Sequence, residues 1–420
     1  MTIRLAYFQV AIFCLFLAAC SNNTIPQGYR EKYPALKDDH IDLIVRTDNM
    51  HKEFARKGLI ETDPVIVNYV QKLAAPLLAQ VNSDIDIKIF IFRDPAINAF
   101  AMPNGNVYFN EGLLAGVENS AQLAFVIGHE ISHVTHEHSI KQRRQTSGTL
   151  AAAHVGDVFL SGVGLSGIAY LPAGLSITGY SRDAEREADF SGLDLMCGAN
   201  YDATQASKAL EALVQHQHTD EKMEGSIWGS HPGIGERMQL VSARAQVPHC
   251  QNPEIADQTY AQIILPKVVG NVIEMNLQRR DYLVAETQAK AAFTRDPSQA
   301  EYAYFLGEVN RRIGMDPEGM AMQLSELKDG HLRNLDTHRQ QIKSQRDENL
   351  SDARKYFLKA IELNKNYANS YKGIGLLSND EGNRNDAKLY LQQYLAMTEN
   401  PYQKSYINNL LKQWESEKKP

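Results

Sequence analysis

"FVIGHEISHVTHEH", residues 125–138, carries four histidines and two glutamates in fourteen positions. Side chains four apart on a helix stack on one face, so His129 and His133 point the same way, with imidazoles close enough to share one cation. Glu130 lies beside the first imidazole, within reach of a water next to that cation. This is the H-E-x-x-H arrangement of zinc peptidases. The apolar LAFVIG run before it and a cap at Asn119 or Ser120 predict that it sits in a helix. A catalytic zinc takes three protein ligands and keeps an open position. His136, seven residues after His129, lies too far along the axis to join them, and the place ten after His129 is Ser139. His136 and His138 therefore read as polar neighbours, and the third ligand comes from elsewhere.

The best source is "YSRDAEREADFSG", residues 180–192. Glu185 and Asp189 share a helical face, while Glu187 points elsewhere. Glu185 is placed to close the zinc shell, and Asp189 to accept a hydrogen bond from a ligand imidazole and fix its tautomer. The same spacing also suits ordinary ion pairing among Arg182, Glu185, Arg186 and Asp189.

Around these motifs, Asp63-Pro64 opens "PVIVNYVQKLAAPLLAQV", whose apolar residues recur at three and four and predict a helix. "DIDIKIFIF" (84–92) alternates strictly, placing Ile85, Ile87, Ile89 and Ile91 on one face of a strand. "NAFAMPNGNVYFNEGLL" (98–114) reads as a strand, a turn at Pro103-Asn104-Gly105 and a second short strand. The segment 150–175, apolar but broken by His154, Asp157 and several glycines, reads as a buried helix or glycine-rich flap beside the site.

From about residue 275 the chain changes to helices with small residues at fixed places. Ala285, Ala353 and Ala387 open similar phrases separated by 68 and 34 residues, and Gly307 and Gly375 lie twelve before Gly319 and Ala387. That period resembles the tetratricopeptide repeat, whose stacked helix pairs present a concave groove for peptides or partner proteins. The middle copy is poor, because the stretch from Asp329 to Asn349 lacks the small-residue signature.

The N-terminus, "MTIRLAYFQVAIFCLFLAACSNN", has one cation, a short apolar run and then small residues before Cys20. It reads as a secretory signal over 1–19, too short to span a bilayer comfortably. "LAAC" resembles a bacterial lipobox, which makes Cys20 the lipidation site. With Ser21 after it rather than aspartate, the anchor is expected in the outer membrane. Residues 20–45 are polar and rich in turn formers, as in a tether. Cys197 and Cys250 are candidates for a disulfide in an oxidising periplasm. The 420-residue length allows two or three domains, and a net charge of −7 gives no electrostatic reason to expect nucleic acid as a partner.

"GHEISHV" (128–134), followed some fifty residues later by "SRDAEREAD" (181–189) and then by "SHPGIGER" (230–237), resembles the HtpX and CAAX-prenyl-protease family of zinc metallopeptidases. "NAFAMPNGNVYFNEGLL" is similar to that family's strand. A periplasmic, lipid-anchored chain with C-terminal repeats is most similar to its BepA-like subgroup. The membrane helices of HtpX and the prenyl proteases have no counterpart here, so a prenylated or membrane-embedded substrate is not expected.

The resemblance implies an α+β, mostly helical fold. A zincin-type metallopeptidase domain with a small sheet over 46–255 would precede an all-α tetratricopeptide-like repeat domain over 256–420. It implies one Zn2+ per subunit on His129, His133 and Glu185, with Asp189 supporting them. His231 would lie close to the metal and Arg237 would match the motif's trailing arginine. Asn98, Ala99, Phe100 and Ala101 would form an edge to which an extended substrate adds by backbone pairing. Glu130 would act as general base, with His231 or Arg237 stabilising the anionic carbonyl oxygen. Alternatively His231, in a glycine-rich loop, takes the fourth zinc position and keeps the enzyme latent. The expected function is a periplasmic endopeptidase that degrades misfolded or misassembled envelope proteins and assists outer-membrane protein assembly, with the repeats contacting the assembly machinery. The rival is a chaperone or assembly factor acting through its repeats, with proteolysis secondary.

Overall fold

The computed structural model describes residues 25–146, 180–217, 231, 234–246, 258–329 and 334–417. The signal, Cys20, the 150–175 segment and Cys250 lie outside these residues. A short helix α1 (Gln27–Lys32) leads into α2 (Asp38–Arg56) and α3 (Pro64–Leu78). Helix α3 starts where the sequence predicts: Pro64 sits in its first turn and the Asp63 side chain accepts from the Val65 amide.

The tether expected over 20–45 does not hold from Gln27 onward. Ile41 and Ile44 recur with helical spacing in α2, and with Tyr33 and Ile85 they form a buried apolar cluster. The polar residues around them occupy the solvent face, which is why the stretch reads as linker.

The sheet has the order β1-β3-β2, built from β1 (Lys88–Phe92), β2 (Ala99–Ala101) and β3 (Asn106–Asn110). Strands β1 and β3 run parallel, with Ile89 opposite Val107. Strands β2 and β3 form a hairpin, with Phe100 opposite Tyr108. Alternation divides the side chains between two cores. Ile89, Ile91, Val107, Phe109, Ala99 and Ala101 join the main core with α3, and Phe90, Phe92, Phe100 and Tyr108 pack beneath Phe54 of α2. Both faces are covered, so β1 is not amphipathic: aromatic residues take the places where solvent-facing ones would alternate.

Helix α4 (Glu111–Gly116) follows β3, and α5 (Ser120–Thr135) carries the histidines. Asn119 caps α5 by accepting from the Gln122 amide. Then come α6 (His138–Thr146), α7 (Arg182–Gly198), capped by Ser181, α8 (Gln205–Gln217) and α9 (Ile234–Arg244). Cys197, near the end of α7, is disulfide-bonded.

A π-helical turn at Tyr260–Ile264 opens α10 (Leu265–Arg279). The Tyr260 hydroxyl donates to the Leu114 carbonyl, Lys267 pairs with Asp63 at 2.7 Å, and Arg279 pairs with Asp94 at 2.8 Å. Leu113, Leu114 and Val117 share one apolar cluster with Ile264, Val268 and Ile273, so the core runs without a break from the sheet-bearing part into the C-terminal helices.

Those helices are α11 (Tyr282–Arg295), α12 (Ala300–Met315), α13 (Pro317–Asp329), α14 (Leu335–Ser344), α15 (Arg346–Leu363), α16 (Ala368–Asp380), α17 (Arg384–Met397) and α18 (Pro401–Glu417). Helix α12 packs on α15, α13 on α14, and α16 on α17. A Cβ on Gly307 would fall 2.6 Å from the Phe357 ring and 3.1 Å from the Ala353 carbonyl. The helical partner of Gly307 is therefore at Ala353 and not at Gly319. Helices α13 and α14 lie in sequence between α12 and α15 and pack on each other, and α14 falls within the stretch that lacks the small-residue signature. No helix among the described residues is long and apolar enough to cross a membrane.

Candidate metal centre

The site forms where α5 crosses α7, and two glycines set how closely they cross. A Cβ on Gly192 would lie 2.6 Å from the His129 amide nitrogen, and one on Gly128 would lie 2.7 Å from the Gly192 carbonyl oxygen. Neither position has room for a side chain, so the two backbones touch. His129 follows the contact directly, and Asp189 and Glu185 lie one and two turns before it on α7. This brings the acids onto the imidazoles.

His129, His133, Glu185 and His231 each offer a donor atom, and these atoms all lie within 4.8 Å of one another. The Nε2 atoms of His129 and His133 are 3.0 Å apart. The Glu185 carboxylate oxygens stand 3.6 Å from each of these nitrogens. His231 Nδ1 is 3.0 Å from Glu185 and 3.3 Å from His129 Nε2. All four residues are buried, as are Glu130, Asp189 and Arg237.

Behind this cluster, His129 Nδ1 faces Asp189 Oδ1 at 2.9 Å. Arg237 grips both acids. Its Nε and Nη2 donate to the two Asp189 oxygens at 2.7 Å each, and its Nη1 lies 2.6 Å from Glu185 and 3.4 Å from the His231 carbonyl oxygen. All three guanidinium nitrogens are engaged and the side chain is 5% exposed. A role for Arg237 in stabilising an oxyanion therefore gives way to one of holding the acids, because its planar fork is already committed.

Burial alone would raise the Asp189 carboxyl, but hydrogen bonds from Arg237 and His129 outweigh it and hold the group down at about 2. Glu185 is likewise ionised: burial opposes this, and His231, His129 and Arg237 together bring it below the ordinary carboxylate range. Burial and the neighbouring His129 and His231 keep His133 well below the usual imidazole value, hence neutral. Burial pushes the Glu130 carboxyl up.

These residues fit zinc. Asp189 stands 2.9 Å from His129 Nδ1, so the other ring nitrogen, Nε2, is the one turned toward the Glu185 carboxylate. Two electron-rich groups facing each other in a dry site are relieved by a cation. Glu130, 0% exposed, has neither carboxylate oxygen hydrogen-bonded, and His231 Nε2 stands 3.4 Å from its Oε1. A buried acid left without a donor is placed to take one from water or substrate.

Asn98 to Ala101 lie on and just before β2, at the outer edge of the sheet. The Asn98 carbonyl accepts from the Asn110 amide, and all four residues are buried. Strand β2 packs against α5.

Three residues near the site escape the sequence reading. His138 Nδ1 faces His133 Nδ1 at 2.9 Å, and His138 Nε2 faces Glu187 at 2.9 Å. The Tyr180 ring stacks on His133, with centroids 3.9 Å apart, and its hydroxyl is 2.8 Å from Ser139 Oγ. His136 turns instead to Ser191, 2.9 Å away.

Residues 64–245 match Peptidase family M48. The Putative beta-barrel assembly-enhancing protease of Vibrio cholerae is 36% identical over 155 residues, covering 34% of this chain and 31% of the relative. The Beta-barrel assembly-enhancing protease of Escherichia coli is 31% identical over 163 residues, 36% of this chain and 33% of the relative. Metalloprotease YcaL of Escherichia coli is 30% identical over 182 residues, 41% of this chain and 67% of the relative. The chain thus spans about a third of the length of the two assembly-enhancing relatives that it matches.

Proposed function

The chain belongs to peptidase family M48, and on that footing we propose that it is a periplasmic zinc endopeptidase that cleaves misfolded or misassembled envelope proteins. The observation that carries the reading is the convergence of His129, His133 and Glu185 on one point, with the unpartnered Glu130 carboxylate beside them.

His129, His133 and Glu185 would hold the ion, and Asp189 and Arg237 hold those side chains in place. Bound zinc supplies Lewis acidity toward a water and a peptide carbonyl. Glu130 takes the proton of the attacking water and returns it to the leaving amine, and its raised affinity for protons suits both tasks. Substitution of Glu130 by Gln is expected to leave zinc stoichiometry intact and to lower hydrolysis of an unfolded protein at least ~100-fold, the usual scale for loss of a general base. Parent-like cleavage would overturn the assignment.

His231 supports a latent form. Its Nδ1 lies among the other donors, 3.0 Å from Glu185 and 3.3 Å from His129 Nε2. In the latent form His231 would occupy the position that substrate needs, so His231→Ala is expected to raise the basal cleavage rate. An unchanged or lower rate would exclude latency.

The names of two relatives concern beta-barrel assembly, which supports extending the role to outer-membrane protein assembly. In this reading Cys20 carries the lipid anchor, the paired helices beyond Tyr282 form tetratricopeptide-like repeats that engage unfolded clients or the assembly machinery, and β2 receives an extended substrate. The alternative is an assembly factor that works through its helices. Rescue of an outer-membrane defect by a Glu130→Gln chain would favour that alternative, and lack of rescue would favour proteolysis.

A further inference from the structure

The two imidazoles of the centre are supported differently. His129 backs onto a carboxylate that Arg237 clamps. His133 backs onto another imidazole, His138, which in turn backs onto Glu187. The same helix supplies both supports. On α7, Glu185 and Asp189 face the metal cluster, while Glu187 and Ser191, also four apart, grip His138 and His136.

A continuous helix would carry His138, five residues after His133, well round to another face. Here α5 ends at Thr135 with His136 as its cap, and Glu137 takes a left-handed conformation, φ 52°. That reversal starts α6 at His138 and turns its ring back onto His133. Tyr180 covers the other side of His133, so the imidazole is held between a stacked ring and a hydrogen-bonded one.

Proton positions along this line follow from its outer end. Glu187 offers His138 Nε2 only a carboxylate oxygen, 2.9 Å away at a half-exposed position, and a carboxylate oxygen accepts. His138 therefore carries its proton on Nε2 and presents a lone pair at Nδ1. His133 must then donate from its own Nδ1, which leaves the lone pair on Nε2. That lone pair points at His129 Nε2, 3.0 Å away, which the Asp189 contact leaves in the same state. Both imidazoles are thereby set in the one tautomer that binds a metal through Nε2.

We propose that His138 and Glu187 are positioning residues that fix the tautomer and orientation of the ligand His133, so that zinc affinity depends on a surface carboxylate two residues beyond the ligand Glu185. The inference rests on the zinc reading above. Glu187 is about half exposed (side chain 49%), so replacing it leaves the core untouched. His138 is buried and its loss disturbs packing. The weight of the test therefore falls on position 187.

The test measures zinc dissociation constants of the full chain by competition with a chromophoric chelator, together with the thermal midpoint of the metal-free protein. Glu187→Ala is expected to weaken zinc binding about 10- to 100-fold, the range for loss of a partner behind a ligand. The metal-free midpoint should stay at the parent value. Glu187→Gln retains a carbonyl acceptor and should recover most of the affinity. His138→Phe, which keeps the ring and removes the acceptor, should match Glu187→Ala in affinity.

Parent-like affinity in Glu187→Ala would overturn the relay while leaving the zinc site standing. A Glu187→Gln chain as weak as Glu187→Ala would also overturn it, because charge alone would then explain the effect. A parent chain that binds no zinc would overturn the relay and the zinc reading together.

Discussion

At the residue scale, His129, Glu130 and His133 are legible because their spacing is itself the chemistry: one helical turn brings two imidazoles onto one ion. Glu185 and Asp189 are legible for the same reason, though spacing alone also fitted ion pairing with Arg182 and Arg186. His138 and Glu187 are not legible. Their contact depends on a left-handed residue, Glu137, which is neither glycine nor asparagine and gives no local cue. Glu111 is a buried acid of a different kind, 0% exposed with neither oxygen hydrogen-bonded. Burial pushes its carboxyl up to about 8. The folded chain keeps this proton while the unfolded chain loses it near the ordinary value, so the stability contributed by the protonated form is full below about pH 4.5 and is lost as pH rises to about 8. Glu111→Gln is expected to match the parent's thermal midpoint at about pH 5 and to exceed it by several degrees at about pH 9. A constant difference across that range would contradict the assignment.

At the element scale, the strands and capped helices follow from alternation, from Asp63-Pro64 and from Asn119. The crossing of α5 and α7 does not, because a glycine's need for close approach appears only once its neighbour is known. Gly128 is paired with Gly192, and nothing in the sequence links them. Gly192→Ala places a methyl where the His129 backbone stands. It is expected to destabilise the chain by about 1–3 kcal/mol through overpacking. It should also weaken zinc binding, since Glu185 and Asp189 move away with α7. Chemical denaturation and zinc titration read the two effects, and a variant with parent-like values in both would refute the role given to the crossing. The repeat shows the converse error. The 34-residue interval from Ala353 to Ala387 joins two helices of the C-terminal part, whereas Gly307 and Ala353, which touch across α12 and α15, are 46 residues apart with α13 and α14 between them.

At the scale of the whole molecule, the sheet-bearing part and the C-terminal helices as far as α16 share one apolar cluster, joined by Tyr260, Lys267 and Arg279, while α17 and α18 carry a cluster of their own. The sequence marks the change of character near residue 275 but not the shared core, because apolar residues on α10 look alike whichever neighbour they cover. The two parts are expected to unfold in a single calorimetric transition, and two separate transitions would contradict a continuous core. Phe357, buried in the same cluster and packed against Gly307 and Gly373, supplies a second test. Phe357→Ala is expected to cost about 3–5 kcal/mol and to lower the midpoint of the whole chain. A loss confined to the last helices, with the centre and its zinc affinity unchanged under conditions that melt those helices, would show the parts to be independent.

The most direct measurement is a zinc-edge anomalous difference map from crystals of the full chain grown with zinc. One peak is predicted, about 2.0–2.2 Å from His129 Nε2, His133 Nε2 and a Glu185 oxygen. No peak there, or a zinc held elsewhere with the Glu185 carboxylate turned away from the imidazole pair, would contradict the account.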